Sequence, residues 1–286
     1  MSAVITIDAW TFDVGVDARS IVGYVEALAT RVEQSWDGGA DLVLLPEYTW
    51  AGLEPLLSQG AGLAGVATEF WQHILPGVHQ RLSRPGKAVV LGTAPCLEDG
   101  QMFNRAPAII EGRLITQDKL FLTPWEGAFS RGKVLRIFEF KGLRIAVVIC
   151  LDIEVPELSA RLRGQGIDLL LVPSATETEF GCERVTRCAS ARAVELGCYV
   201  VVSPLVGRCA SELVDENLGR LACYAPSQAA FRETARLHES EMVTSGFHTL
   251  RFPLAHDLLK KARQMKAETN PSLIDLGPEI PPVEPV

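Results

Sequence analysis

Three residues that are reactive as a set follow segments of this chain that read as strands. Glu47 comes after DLVLL and Pro46, Cys150 closes the run LRIAVVI, and between them Lys119 follows a segment that reads as a hairpin strand. A thiolate is a strong nucleophile, and a neighbouring carboxylate can take the thiol proton and deliver it to a leaving amine. A fixed ammonium can stabilise the oxyanion that develops in between. The backbone N–H of Leu151, at the turn past Cys150, is a candidate second oxyanion donor. A papain-like histidine base does not fit, because none of the five histidines (73, 79, 238, 248, 256) lies near these strand ends in sequence. Taken singly, each residue also suits a plain structural role: the thiol as a small buried apolar group, the carboxylate in a solvated turn, the lysine as surface charge.

For the three to meet, the elements before them must end on one side of a sheet, where ligands of open α/β sheets gather. The pattern supports this. Ala3–Ile7, Asp41–Leu45, Ala88–Gly92, Ile167–Val172 and Tyr199–Ser203 read as strands. Pro107–Glu111 with Arg113–Gln117, and Leu135–Phe140 with Leu143–Cys150, read as hairpins around Gly112 and Lys141-Gly142. The last strand is nearly all apolar, as expected for the middle of a covered sheet. Ala18–Ser35 reads as an amphipathic helix on the spacing of Ile21, Val25, Leu28 and Val32, and further helices are expected over Thr68–Leu82, Pro156–Gly164 and Arg184–Leu196. The mixture of βα units and hairpins predicts a mixed sheet with helices outside. Gly60–Gly65 carries a GxGxxG-like spacing, but no strand precedes it, so it is not read as a dinucleotide site.

Composition narrows the function classes. The chain has 286 residues, 48% apolar and 22% charged, which is ordinary for a globular protein. Its formal net charge of −8 argues against a nucleic-acid partner, which would need clustered Lys and Arg. No apolar stretch is long enough to span a bilayer, and the N-terminal run carries Asp8, so no membrane segment or signal peptide is read. Seven cysteines form no CxxC pair, and the histidines lack ligand spacing; this argues against a zinc site or a disulfide framework and fits a reducing, cytoplasmic compartment. No composition break precedes about residue 250, so residues 1–252 are expected to form one domain. Residues 253–286 are read as a C-terminal extension, an oligomerisation arm or a disordered tail, because EIPPVEPV is Pro-rich.

The words around the three residues add a resemblance. LLPEYTW, DKLFLTPWE, ICLDIEVPELSARLRGQGIDLLLVPSATE and ARAVELGCYVVVSP are similar to the nitrilase, or carbon–nitrogen hydrolase, superfamily, in the order Glu, Lys, Cys and with separations of 72 and 31 residues. The resemblance covers roughly residues 3 to 250. It implies an α/β fold, an αββα sandwich of two stacked mixed β-sheets with helices on both outer faces. It implies a Glu47–Lys119–Cys150 triad and a second glutamate after the lysine, Glu126, that positions substrate or water. It further implies a homodimer or higher homo-oligomer and a reaction without cofactor or metal. Tyr48, Trp125, Leu151 and Glu154, next to these residues in sequence, are the candidate substrate-binding positions. Two departures stand out. Leu151 replaces the aromatic residue common after the nucleophile, and Leu196 stands where the family often has Asn, after Glu195.

The substrate expectation rests on the same neighbours. Nitrilases typically carry Trp-Glu after the cysteine, where this chain has Leu151-Asp152. N-carbamoyl amino acid hydrolases carry an arginine three or four positions on, where this chain has Ile153 and Glu154. Hydrolysis of a small amide through a cysteine thioester is the reading that remains, with carbamoyl amines or nitriles as alternatives. A binding or scaffold protein that keeps the fold without turnover is the non-enzyme alternative. Glu154 is expected to repel carboxylated substrates and favour ammonium-bearing ones if it faces the pocket, or else to cap the following helix.

Overall fold

Period-two alternation along the strands sorts apolar side chains between two cores. The computed structural model describes residues 4–16, 20–211, 213–233 and 237–265. In β1 (Val4–Trp10), Ile5, Ile7 and Ala9 enter one core and Trp10 the other. β3 (Leu42–Leu44) divides in the same way, with Leu42 and Leu44 opposite Val43, and β4 (Ala88–Val90) repeats it with Ala88 and Val90 opposite Val89. One face of this sheet therefore packs on a second sheet, and its other face packs under helices.

The first sheet runs β15 (Thr249–Ala255), β1, β3, β4, β6 (Gln101–Ile110), β5 (Ala94–Glu98), with β7 (Arg113–Asp118) also on β6. β1, β3 and β4 are parallel, and the rest pair antiparallel. The second sheet runs β14 (Leu237–Glu239), β13 (Ala222–Tyr224), β11 (Tyr199–Arg208), β10 (Leu169–Ser174), β9 (Leu143–Val147), β8 (Ile137–Phe140); β2 (Phe12–Asp13) and β12 (Glu216–Asn217) join β11. On the first sheet's outer face, α1 (Ile21–Asp37) buries Tyr24, Leu28, Ala29, Val32 and Trp36, and the Ser20 hydroxyl caps it by accepting from the Gly23 N–H at 3.1 Å. On the second sheet's outer face lie α4 (Pro156–Leu162) and α5 (Glu179–Leu196). The result is the expected αββα sandwich of two mixed sheets.

The differences from the sequence pattern have local causes. The second helix begins at Gly62, six residues before the expected start: α2 (Gly62–Thr68) passes through a π turn, Glu69–Ile74, into α3 (Leu75–Leu82). The wider turn comes just before Pro76, which has no N–H to donate and whose ring crowds an α-helical i−4 carbonyl. Helix α5 starts five residues early because Thr178 caps it, accepting from the Gly181 N–H at 3.1 Å. β15 pairs along the whole of β1, from Val4 with Ala255 to Trp10 with Thr249, and Arg251 Nε sits 2.7 Å from Oδ1 of the buried Asp8. Residues 253–265 thus finish β15 and form α6 (His256–Met265), whose Arg263 reaches Asp168 at 2.7 Å. Residues 266–286, the rest of the segment read as an arm or tail, lie outside the described residues. Among the described residues no helix is long and apolar enough to cross a membrane.

Candidate active site

Glu47 and Lys119 leave the first sheet, and Cys150 leaves the second. Glu47 lies three residues past β3. There the chain turns sharply: Tyr48 has φ 54°, and its N–H donates to Thr93 Oγ1 at 2.8 Å. Gly92 makes room for this turn. It has φ 68°, and a Cβ there would lie 2.1 Å from the Pro46 carbonyl oxygen, so no other residue fits. Lys119 follows β7 directly; its N–H donates to the Asn104 carbonyl at 2.9 Å and its carbonyl accepts from Gly132 N–H at 2.8 Å.

Cys150 does not end its strand, as the sequence pattern suggested. β9 stops at Val147, and Cys150 opens a 3-10 turn to Glu154 with φ 46°. A left-handed backbone on a residue with a Cβ costs on the order of 1–3 kcal/mol, and such strain clusters at functional sites. It turns the thiol off the sheet edge toward the residues of the first sheet.

There the side chains meet in a buried cluster. Lys119 Nζ lies 2.8 Å from Glu47 Oε1 and 2.8 Å from Glu126 Oε2. Glu47 Oε1 also accepts from Asn104 Nδ2 at 2.8 Å, and its Oε2 accepts from the Ala175 N–H of the second sheet at 3.0 Å. The Cys150 thiol reaches the same residue, with Sγ 3.5 Å from the Ala175 carbonyl. Glu126 accepts from the Tyr48 hydroxyl, from Asn104 Nδ2 at 3.1 Å, and from the Thr123 N–H and hydroxyl at 2.8 and 2.9 Å. Glu47, Lys119 and Glu126 are each 1% exposed or less.

The two glutamates titrate in opposite directions. Burial raises the Glu47 carboxyl above its usual range, with the charge of Glu126 adding to this against the pull of Lys119. Burial also opposes ionisation of Glu126, but Lys119 together with the Tyr48 and Thr123 donors outweighs it and holds that carboxyl low. For Lys119, burial works against the ammonium, yet Glu47, Cys150 and Glu126 keep it charged. Burial, then the adjacent Glu47 charge, push the Cys150 thiol well up. The Glu47 carboxyl and the Cys150 thiol are thus both shifted toward their protonated forms, while Glu126 is shifted toward its ionised form beside Lys119.

The remaining sequence candidates sort by what they touch. Tyr48 is fully buried, with its hydroxyl committed to Glu126. Trp125 is 46% exposed, its ring 5.9 Å from that of Tyr48 and 6.0 Å from Lys119 Nζ, and Leu151 is half-buried beside the thiol. Glu154 is paired with Arg184 of α5 at 3.3 Å, an offset to its charge that its own sequence neighbourhood did not contain. Glu195, before the unusual Leu196, accepts from Arg192 at 2.9 Å and from Ser159 at 2.8 Å. Asn104, Thr123, Asp152, Ala175 and Arg184 were not singled out from sequence. Little local marks them: Asn104, Asp152, Ala175 and Arg184 act through partners remote in sequence, and Thr123 through Glu126 three residues on. Among the described residues no group of three or more His, Cys, Asp or Glu is placed to hold a metal.

The sequence profile of the carbon-nitrogen hydrolase family matches residues 3–229. The Bacillus subtilis protein described as probable hydrolase YhcX is 29% identical over 245 residues, covering 82% of this chain and 46% of that protein. An (R)-stereoselective amidase of a Pseudomonas species is 31% identical over 172 residues, 59% of this chain and 61% of that one. The chain thus spans only about half of these relatives' lengths. A CN-hydrolase superfamily protein of Xanthomonas campestris has the same fold, with a TM-score of 0.74 at 18% identity over 98% of this chain and 100% of that one.

Proposed function

Because the chain belongs to the carbon-nitrogen hydrolase family, we propose that it hydrolyses a non-peptide carbon–nitrogen bond of a small amide through a thioester on Cys150. The observation that carries this reading is Glu47, buried, hydrogen-bonded to the Lys119 ammonium at 2.8 Å and to the N–H of Ala175 at 3.0 Å, the same residue whose carbonyl lies 3.5 Å from the Cys150 sulfur. A free thiolate beside that carboxylate is disfavoured in so dry a site, so the resting proton sits on sulfur. As Sγ attacks the carbonyl carbon, Glu47 takes the thiol proton and Lys119 faces the growing oxyanion. Glu47 then protonates the departing nitrogen, the C–N bond breaks, and ammonia or an amine leaves. Water, deprotonated by Glu47, attacks the thioester; the C–S bond breaks, the thiol is restored and a carboxylic acid departs.

The Glu154–Arg184 pair bears on the substrate. With its carboxylate balanced by a guanidinium, Glu154 offers neither strong repulsion of anions nor a free seat for an ammonium. Neutral amides are therefore the expected class. An ammonia-release screen over matched neutral, cationic and anionic amides tests this, with neutral members turned over fastest. The reading fails if no amide is hydrolysed by the folded protein.

Glu126→Gln should separate the two glutamates. The amide keeps the Thr123 and Tyr48 neighbours but loses the charge that balances Lys119. Turnover should fall by about 10²-fold, comparable to loss of one electrostatic contact at a reacting centre. Steady-state kinetics on whichever amide responds checks this, and a rate within threefold or so of the unmodified chain would place Glu126 outside the reaction.

A further inference from the structure

The steps above give no part to Asp152, two residues past Cys150 in the same 3-10 turn and 1% exposed. Its carboxylate accepts three main-chain N–H groups: Ile149 at 3.2 Å, Leu120 at 3.1 and 3.2 Å, and Phe121 at 2.7 Å. Ile149 immediately precedes the nucleophile, and Leu120 and Phe121 immediately follow Lys119. These two stretches belong to different sheets, and apolar packing between sheets is not directional. A carboxylate with fixed N–H donors is directional, and it forms the stronger, charge-assisted kind of hydrogen bond. The other ties on the Lys119 main chain, from its N–H to the Asn104 carbonyl at 2.9 Å and from the Gly132 N–H to its carbonyl at 2.8 Å, do not reach the nucleophile's turn.

We propose that Asp152 is a positioning residue that clamps the Leu120–Phe121 main chain to the nucleophile's turn and so sets the Lys119 ammonium against the Cys150 sulfur. The proposal rests on the Glu47–Lys119–Cys150 reading given above. Asp152→Asn keeps the shape but exchanges one acceptor for a donor that faces N–H groups. The clamp loosens, the ammonium drifts, and both thiolate and oxyanion lose their cation. A purely electrostatic influence of Asp152 has the opposite sign, because removing a nearby anion eases ionisation of the thiol.

Carbamidomethylation of Cys150 by iodoacetamide, followed by peptide mass at one mildly alkaline pH, distinguishes the two. In the Asp152→Asn chain, labelling of Cys150 should be about ten- to a hundredfold slower than in the unmodified chain, with kcat on a responsive amide falling in parallel and KM little changed. Equal or faster labelling overturns the clamp. Should the variant fail to fold, hydrogen exchange on the unmodified chain decides: the Leu120 and Phe121 amides should exchange as slowly as those of β9, and rapid exchange overturns the clamp. Failure of the underlying triad is read separately, as an unmodified chain whose Cys150 resists labelling or whose Cys150→Ser form still turns over.

Discussion

Cys150→Ser should yield a folded protein that releases ammonia from a responsive amide at least about 10³-fold more slowly than the unmodified chain. The argument has a chemical half and a structural half. A serine hydroxyl is far less acidic than a thiol, and the neighbouring base is a carboxylate. Glu47 can assist a thiol in this setting but cannot activate an alcohol to a comparable degree. The fold should tolerate the change. The site is buried, the volumes are close, and the one main-chain contact of the sulfur, 3.5 Å to the Ala175 carbonyl, suits a hydroxyl equally well. Thermal unfolding within about 1.5 kcal/mol of the unmodified chain is expected. Turnover above a few per cent of the original rate would rule out the covalent route.

Lys119→Met should damage stability and activity together, with a pH signature. The ammonium stands 2.8 Å from each of two buried carboxylates, and methionine removes the charge while keeping the bulk. Glu47 and Glu126 are then two like charges with Asn104 as their shared neutral donor. Removing one partner of a buried ion pair typically costs about 3–5 kcal/mol. The sign with pH follows from the shifts. In the unmodified chain Glu126 is held below its ordinary value, so its contribution is present above the unfolded pKa and lost as the solution becomes more acidic. Without Lys119 the Glu126 carboxyl should rise above its unfolded value, and Glu47, already raised, should rise further. Each then contributes stability that is fully present below the unfolded pKa and is lost as pH rises through its folded pKa. The stability gap between the two chains should thus widen from mildly acidic to mildly alkaline solution. Denaturant unfolding at both ends checks it, and a constant gap would show that the lysine is not what keeps the carboxylates ionised. Turnover should fall by about 10²–10³-fold as the oxyanion loses its cation.

Much of the frame was written along the chain. β1, β3 and β4 were legible as apolar runs, but which side chain enters which core was not, because both faces of this sheet are covered. Glu47, Lys119 and Cys150 stood out because each follows a segment that reads as a strand, and strand ends collect on one side of a sheet. Element boundaries were less visible. β9 ends before Cys150 because the chain must leave the sheet to turn the thiol, and the early start of α5 depends on a cap made by Thr178. β15 escaped notice because its partner, β1, lies at the other end of the chain, where Asp8 meets Arg251.

What the sequence determined by itself is the inventory: a thiol, two carboxylates and an ammonium, in an order and context that bring them to one place. Only the tertiary structure decided what each group is there. Glu47 and Glu126 are the same residue type, yet burial raises the carboxyl of one, while Lys119 with the Tyr48 and Thr123 donors holds that of the other low. Glu154, alone in its segment, acquires Arg184 from α5, and Asp152 acquires the main chain behind Lys119. Burial and charge depend on distances in space, and those are set where two sheets meet, between residues that no local periodicity links.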